Sequence, residues 1–151
     1  MLGLKTHDLE VEEALIAGLL LYPDPRALLE VADEDMFYDH LRPVLKAIRV
    51  LSGAGKPVNV ITVMYTLEPQ LDSLSWRGDV GEVLLMDIVT RHATNPAACS
   101  PVAMANIVHN YAERRRALQT AHEEGTRKYQ EEISVAVRAT SVAREATRWV
   151  E

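Results

Sequence analysis

The sequence predicts an all-α protein: a compact head of about five helices followed by a long helical hairpin. Three observations predict it. Residues 8–22, DLEVEEALIAGLLLY, form a stretch that is apolar on nearly every side of a helix. Asp24-Pro25 and Ser100-Pro101 each place a capping residue before a proline, the pattern that opens a helix. After Ser100 only Gly125 interrupts the helical pattern, through to Glu151. With 151 residues and a 48% hydrophobic fraction, the chain can bury a core as one domain or as a domain with an appendage. The expected division is 1–99 for the head and 100–151 for the hairpin.

The first helix is expected to be central. Asp8 can accept from free amides of the first turn, and Glu10, Glu12 and Glu13 put negative charge at the positive end of the dipole. From Ala14 to Tyr22 there is no charge, so burial on most sides follows. Tyr22-Pro23-Asp24-Pro25 stops the helix, because proline cannot continue the ladder. The run is too short for a bilayer, which takes about 20 apolar residues.

A second helix is expected over 25–32, broken by Asp33-Glu34-Asp35 as a solvated loop, with Phe37, the one phenylalanine, as a core anchor. In the third, over 41–51, Leu41, Val44, Leu45, Ile48 and Leu51 share a face while Arg42, Lys46 and Arg49 point away. Pro43 fits there only in the first turn, and Gly53 is the expected left-handed C-cap. Residues 58–67, VNVITVMYTL, are rich in β-branched side chains, which favour a strand. Asn59 can cap, however, and Val60, Val63, Met64 and Leu67 make a helical stripe; a lone strand would have no partner, so a helix is expected. A loop containing Trp76 leads to a fifth helix capped by Asp79, with Val80, Val83, Leu84, Ile88 and Val89 inward. Asn95-Pro96 marks a second loop before Ser100.

The remaining tail exceeds an ordinary globular helix, so two helices turning back between residues 123 and 132 are expected. In the second of these, Val135, Ala139, Val142, Ala146 and Trp149 step by four and three, the seam of a helix lying along another. Alternation of valine with alanine buries little area per turn, and Ile107, Ile133 and Val137 would stay wet in an isolated pair. A second copy of the chain is the expected cover.

Charge and chemistry exclude several functions. Residues 1–100 hold 8 Lys/Arg against 15 Asp/Glu, a net −7, and residues 101–151 hold 8 against 7, a net +1. An acidic head repels phosphate and suits a basic protein partner, so direct nucleic-acid binding is not expected. Arg114-Arg115-Arg116 spreads over about 200° of a helix, too wide for one phosphate clamp, and salt bridges are the better account. Cys99 alone allows neither an internal disulfide nor a cysteine zinc site, and fits a reducing compartment. It has no neighbours set to activate it, so a plain thiol is expected. His7, His40, His92, His109 and His122 are scattered, and surface or capping roles are expected for them. No catalytic set, cofactor or metal site is expected. Ser52-Gly-Ala-Gly-Lys56-Pro57 has the wrong spacing for a phosphate loop and a proline at the hydroxyl position. The N-terminus shows no signal peptide, so a cytoplasmic protein with no membrane association is expected.

The order of segments resembles the N-terminal domain of DnaB-type replicative DNA helicases. The residues that carry the resemblance are Leu9-Glu10-Val11-Glu12-Glu13-Ala14 with Leu15-Ile16-Ala17-Gly18-Leu19-Leu20, then Asp35-Met36-Phe37-Tyr38 and Val44-Leu45-Lys46-Ala47-Ile48. Leu51 follows, with Gly55-Lys56-Pro57-Val58-Asn59-Val60-Ile61-Thr62-Val63, and then Asn106-Ile107-Val108 with Tyr111-Ala112. The match runs over about residues 9–118. Asn59 stands where the family has Asp, and Leu41 where a His is common. No Walker A motif or motor domain is present in the sequence, which makes the chain either a domain of a longer helicase or a free-standing phage or plasmid regulator of a host helicase. The resemblance implies a non-catalytic collar domain of the primosome. Its hairpins would pair between subunits as a dimer or a trimer of dimers and offer a platform to primase or a helicase loader. Tyr111, Leu118, Val135, Val142 and Trp149 are the residues assigned to self-association.

Overall fold

The computed structural model describes residues 5–67 and 78–150. Six α-helices and two 3₁₀ turns account for the regular structure among them, with no strand. The helices are α1 (Leu9–Leu21), α2 (Pro25–Glu30), α3 (Arg42–Gly53), α4 (Val60–Leu67), α5 (Gly78–His92) and α6 (Pro101–Val150). The 3₁₀ turns are Asp33–Asp35 and Pro96–Cys99. The chain divides into two compact units, residues 1–114 and 115–151, so nearly the first four turns of α6 fall in the first unit, where the head was expected to end at residue 99.

α1 is the central helix of the first unit, packed on α5, on the Pro96–Cys99 turn and on α3. Leu15, Ile16, Ala17 and Leu19 are almost fully buried, as a helix without a polar face requires. Asp8 caps it, accepting from the amides of Glu10 at 3.0 Å and Val11 at 3.4 Å. Gly18 has a tertiary reason: a Cβ there would stand 2.5 Å from the Ala98 carbonyl oxygen, so only glycine lets the Pro96–Cys99 turn lie this close. α3 presents the expected face, with Val44, Leu45, Ile48 and Leu51 buried beside Leu41. Met104, Ala105, Val108 and Ala112 of α6 complete the core.

Several expectations are corrected. Phe37 is 41% exposed and stacks on His7 at 4.0 Å; Met36 is the fully buried neighbour. The amides of Phe37 and Tyr38 both turn to Glu12, which leaves the Phe37 ring on the outside. Gly53 lies within α3, and the left-handed residue is Gly55, at φ +68°. α5 buries Gly81, Leu85, Ile88 and His92, a four-three-four step, while Val83 and Leu84 face solvent. The sequence pattern put the inward face about one residue out of phase, because it gave no weight to a small and a polar inward residue. Asp79 lies inside α5, and Ile107 packs against the core instead of lying wet. The loop with Trp76 and the side chain of Val80 lie outside the described residues.

The largest correction concerns the tail. Residues 101–150 form one continuous helix, with no reversal between residues 123 and 132. Gly125 sits in that helix, and a Cβ added to it would meet nothing within 4 Å, so no close approach asks for glycine there. A glycine in a helix costs about 1 kcal/mol relative to alanine. Opening the helix there would orphan several backbone groups at each new end, a larger cost. Flanking glutamates, arginine, lysine and glutamine favour helix, so one glycine does not turn the chain.

Candidate functional site

The first unit contains a polar network laid across its helices. Glu12 and Glu13, expected to place negative charge at the positive end of the helix dipole, are buried. Glu12 accepts the amides of Phe37 and Tyr38, each at 3.2 Å, which fixes the loop before α3 onto α1. Glu13 receives a two-pronged contact from Arg91, at 3.0 and 2.9 Å, and Arg91 also reaches Asp87 at 2.8 Å. These hydrogen bonds, the one to Glu13 first, hold the Arg91 guanidinium still further above its ordinary value.

The histidines and acids expected at the surface also take part. Asp35 is buried, accepts the Ala32 amide at 2.9 Å and pairs with His109 Nδ1 at 2.9 Å. That contact ties the 3₁₀ turn Asp33–Asp35 to α6. His92 is buried with its Nδ1 3.1 Å from Asn95 Nδ2. Since Asn95 Oδ1 accepts the Ala97 amide, Nδ2 is the donor toward His92 Nδ1. In the neutral ring the proton is then on Nε2, which lies 3.8 Å from Glu13 Oε1 and makes no hydrogen bond. Arg49, expected to point away, turns back and donates to the carbonyls of Leu28 and Val31, both at 2.6 Å, and to Asp33 at 3.2 Å. It thereby closes the C-terminal end of α2, whose last carbonyls lack helical partners. These contacts join one element to another and assemble no nucleophile with a base. No group of three or more His, Cys, Asp or Glu that could hold a metal occurs among the described residues.

Smaller features sit at the surface of this unit. Cys99 is an exposed thiol, and its hydrogen bond with Tyr22 raises the phenol above its ordinary value. Arg114 donates to the Lys5 carbonyl at 3.1 Å and lies over the Tyr111 ring at 5.5 Å, an intrachain use of one residue of the arginine cluster. No helix among the described residues is long and apolar enough to cross a membrane.

The second unit is a different kind of surface. Every side chain described in it beyond Arg115 is exposed. Leu118 is 54%, Val135 64% and Val142 66% exposed, so three residues assigned to self-association present bare apolar area. Tyr111 belongs to the first unit and is half-buried, and the Trp149 side chain lies outside the described residues. At 100° per residue, Val135, Ala139 and Val142 make one line along the helix, and Tyr129, Ile133 and Val137 a second. Tyr129, which the sequence places on the apolar stripe of the tail with Tyr111 and Leu118, was not among the residues assigned to self-association; its four-residue step to Ile133 and on to Val137 was the available signal.

The comparisons with known proteins agree with this architecture. Residues 4–110 match the family described as the DnaB-like helicase N terminal domain. Among solved structures, the chain is similar to the N-terminal domain of DnaB helicase from Mycobacterium tuberculosis, at 25% identity and a TM-score of 0.70. That similarity covers 83% of this chain and 88% of the other. Comparison with curated proteins finds no match. With more than two-thirds of its length matched to one family and the helical head in common, the chain belongs to the DnaB-like helicase N-terminal domain family.

Proposed function

We propose that this chain acts in DNA replication as a non-catalytic collar domain of a replicative helicase. It pairs subunits through α6 and offers its head to a primase or a helicase loader. The observation that carries the pairing is the bare apolar surface of the second unit, where Val135, Val137 and Val142 each expose more than half of their area. Covering apolar surface gains about 25 cal/mol per Å², and a helix this long and wet gains nothing from its own fold. Leu118, Val135, Val142 and Trp149 are the contacts assigned to that cover, with Tyr111 at its start. The acidic balance of residues 1–100 supports a basic docking partner, steered by charge and weakened by salt.

Light scattering on the purified chain tests the pairing: a dimer, or a trimer of dimers, is expected at concentrations on the order of tens of micromolar. A strict monomer there would remove the proposal's physical basis. Docking is tested separately by titrating a primase helicase-binding domain onto the chain at low and high salt. Failure to bind at low salt would remove that half.

A further inference from the structure

We propose that His92 is a proton-operated latch: its neutral ring holds the Pro96–Cys99 turn closed through Asn95, and its protonation releases that turn.

Three groups are locked into one hydrogen-bond order. The Ala97 amide donates to Asn95 Oδ1 at 3.1 Å, which caps the turn. Asn95 Nδ2 has only donors to offer and lies 3.1 Å from His92 Nδ1, so this ring nitrogen is the acceptor. An imidazolium carries a proton on both nitrogens and accepts nothing. Protonating His92 therefore sets an N–H against the amide NH2 of Asn95, donor against donor. Turning the Asn95 amide over gives Oδ1 to the charged ring and takes it away from the Ala97 amide. A hydrogen bond from a charged donor is the stronger of the two, so the cap is the one that is lost.

The surroundings offer the charged ring a second partner. His92 Nε2 makes no hydrogen bond and lies 3.8 Å from Glu13 Oε1. A movement of about 1 Å would turn that approach into a charge-assisted hydrogen bond. From α1, Glu13 and Glu10 line the same cleft as His92; from α5, Arg91 lines it too, with its guanidinium held by Glu13 and Asp87. α4 also packs on α5 but has no acidic or basic side chain, and its Tyr65 is exposed. On the turn itself, Cys99 is exposed and hydrogen-bonded with Tyr22. Asn95 is thus the group that has to yield when the ring gains its proton, since Glu13 gains an attraction and Arg91 stays held by two carboxylates.

What the latch holds is the seat of the turn on α1. Ala98 is fully buried, and its carbonyl oxygen comes so near Gly18 that a Cβ there would stand 2.5 Å away. α6 begins at Pro101, just beyond the turn. Loss of the Ala97 cap loosens the contact between α1 and the segment that leads into α6.

Amide hydrogen exchange by NMR on the full chain, expressed as protection relative to the unfolded-chain rate at each pH, tests the latch. Between about pH 7.5 and about pH 5.5, protection of the Ala97 amide should fall about fivefold or more, in step with the change in the His92 ring signals, while that of Ala17 in α1 stays level. Asn95→Asp separates the latch from a general softening in acid. Its carboxylate accepts from the Ala97 amide and from the ring Nδ1–H at once, so protection of Ala97 should hold across the same range. A His92 ring that gains its proton without loss of protection at Ala97 would overturn the latch. So would an equal loss in the Asn95→Asp chain, or a ring that stays neutral throughout.

Discussion

The two units of this chain solve opposite problems with the same secondary structure. In residues 1–114, helices are short, capped and covered: Leu15 and Ile16 are fully buried, and Glu12, Glu13 and Asp35 enter the interior with hydrogen-bond partners supplied by distant segments. In residues 115–151, one helix holds its backbone hydrogen bonds within itself, and its side chains from Arg116 to Glu145 stand in water. The lesson is that a regular helix is evidence of local satisfaction only. What the apolar residues are for depends on whether anything lies over them, and in the second unit every side chain described beyond Arg115 is exposed.

This contrast can be broken or sharpened by substitution. The largest effect is expected at Leu15, where Leu15→Ala removes a fully buried side chain from the centre of the head. It should lower unfolding stability by about 2–5 kcal/mol in chemical denaturation. A loss under about 1 kcal/mol would mean that α1 is not the packing centre. Next comes Gly18→Ala, which forces the new methyl against the Ala98 carbonyl and should cost about 1–3 kcal/mol by the same measurement. Gly125→Ala, in the second unit, meets no atom and should instead be neutral or slightly stabilising.

A smaller effect, dependent on pH, is expected at Asp8. Its hydrogen bond with Lys5, assisted by the amides of Val11 and Glu10, holds the carboxyl below its ordinary value of 3.8. A carboxylate lowered in the folded state contributes stability that is full above its unfolded value and lost as pH falls through the folded one. Asp8→Ala should therefore cost about 1 kcal/mol at neutral pH, and the difference from the parent should vanish below that range. Denaturation at pH 7 and at pH 2.5 would decide it, and an unchanged gap would assign the cap's effect to packing. The smallest effect on folding is expected at Val142. Val142→Ser should change unfolding stability by no more than about 0.5 kcal/mol while weakening self-association in light scattering. A large loss of folding stability would show that the second unit has a cover within its own chain.

The positions of the helices, and most of their ends, were legible in the sequence. Asp8, Asp24-Pro25, Asn59 and Ser100-Pro101 act within one turn of themselves, and each opens a helix where expected. The inward face of α3 was also legible, because Val44, Leu45, Ile48 and Leu51 repeat at the helical period, with Val50 the one large apolar side chain of the helix facing out. The polar network was not. Glu12, Asp35, His92 and Arg49 are polar, and a pattern reading assigns polar residues to solvent; their partners stand elsewhere in the sequence, in segments that only folding brings near. The phase of α5 was lost for the same reason, since Gly81 and His92 are buried while Val83 faces out.

By itself, then, the sequence determined what short-range physics decides: caps, helical periods, and an apolar line on the tail too thin in bulk to be a core. Tertiary structure alone decided which acids are buried and who answers them, and why Gly18 is a glycine; that Gly125 leaves the last helix unbroken is a local balance which the pattern misjudged. The tertiary outcomes depend on distances between segments remote in the chain, and those are not written in any local stretch of residues.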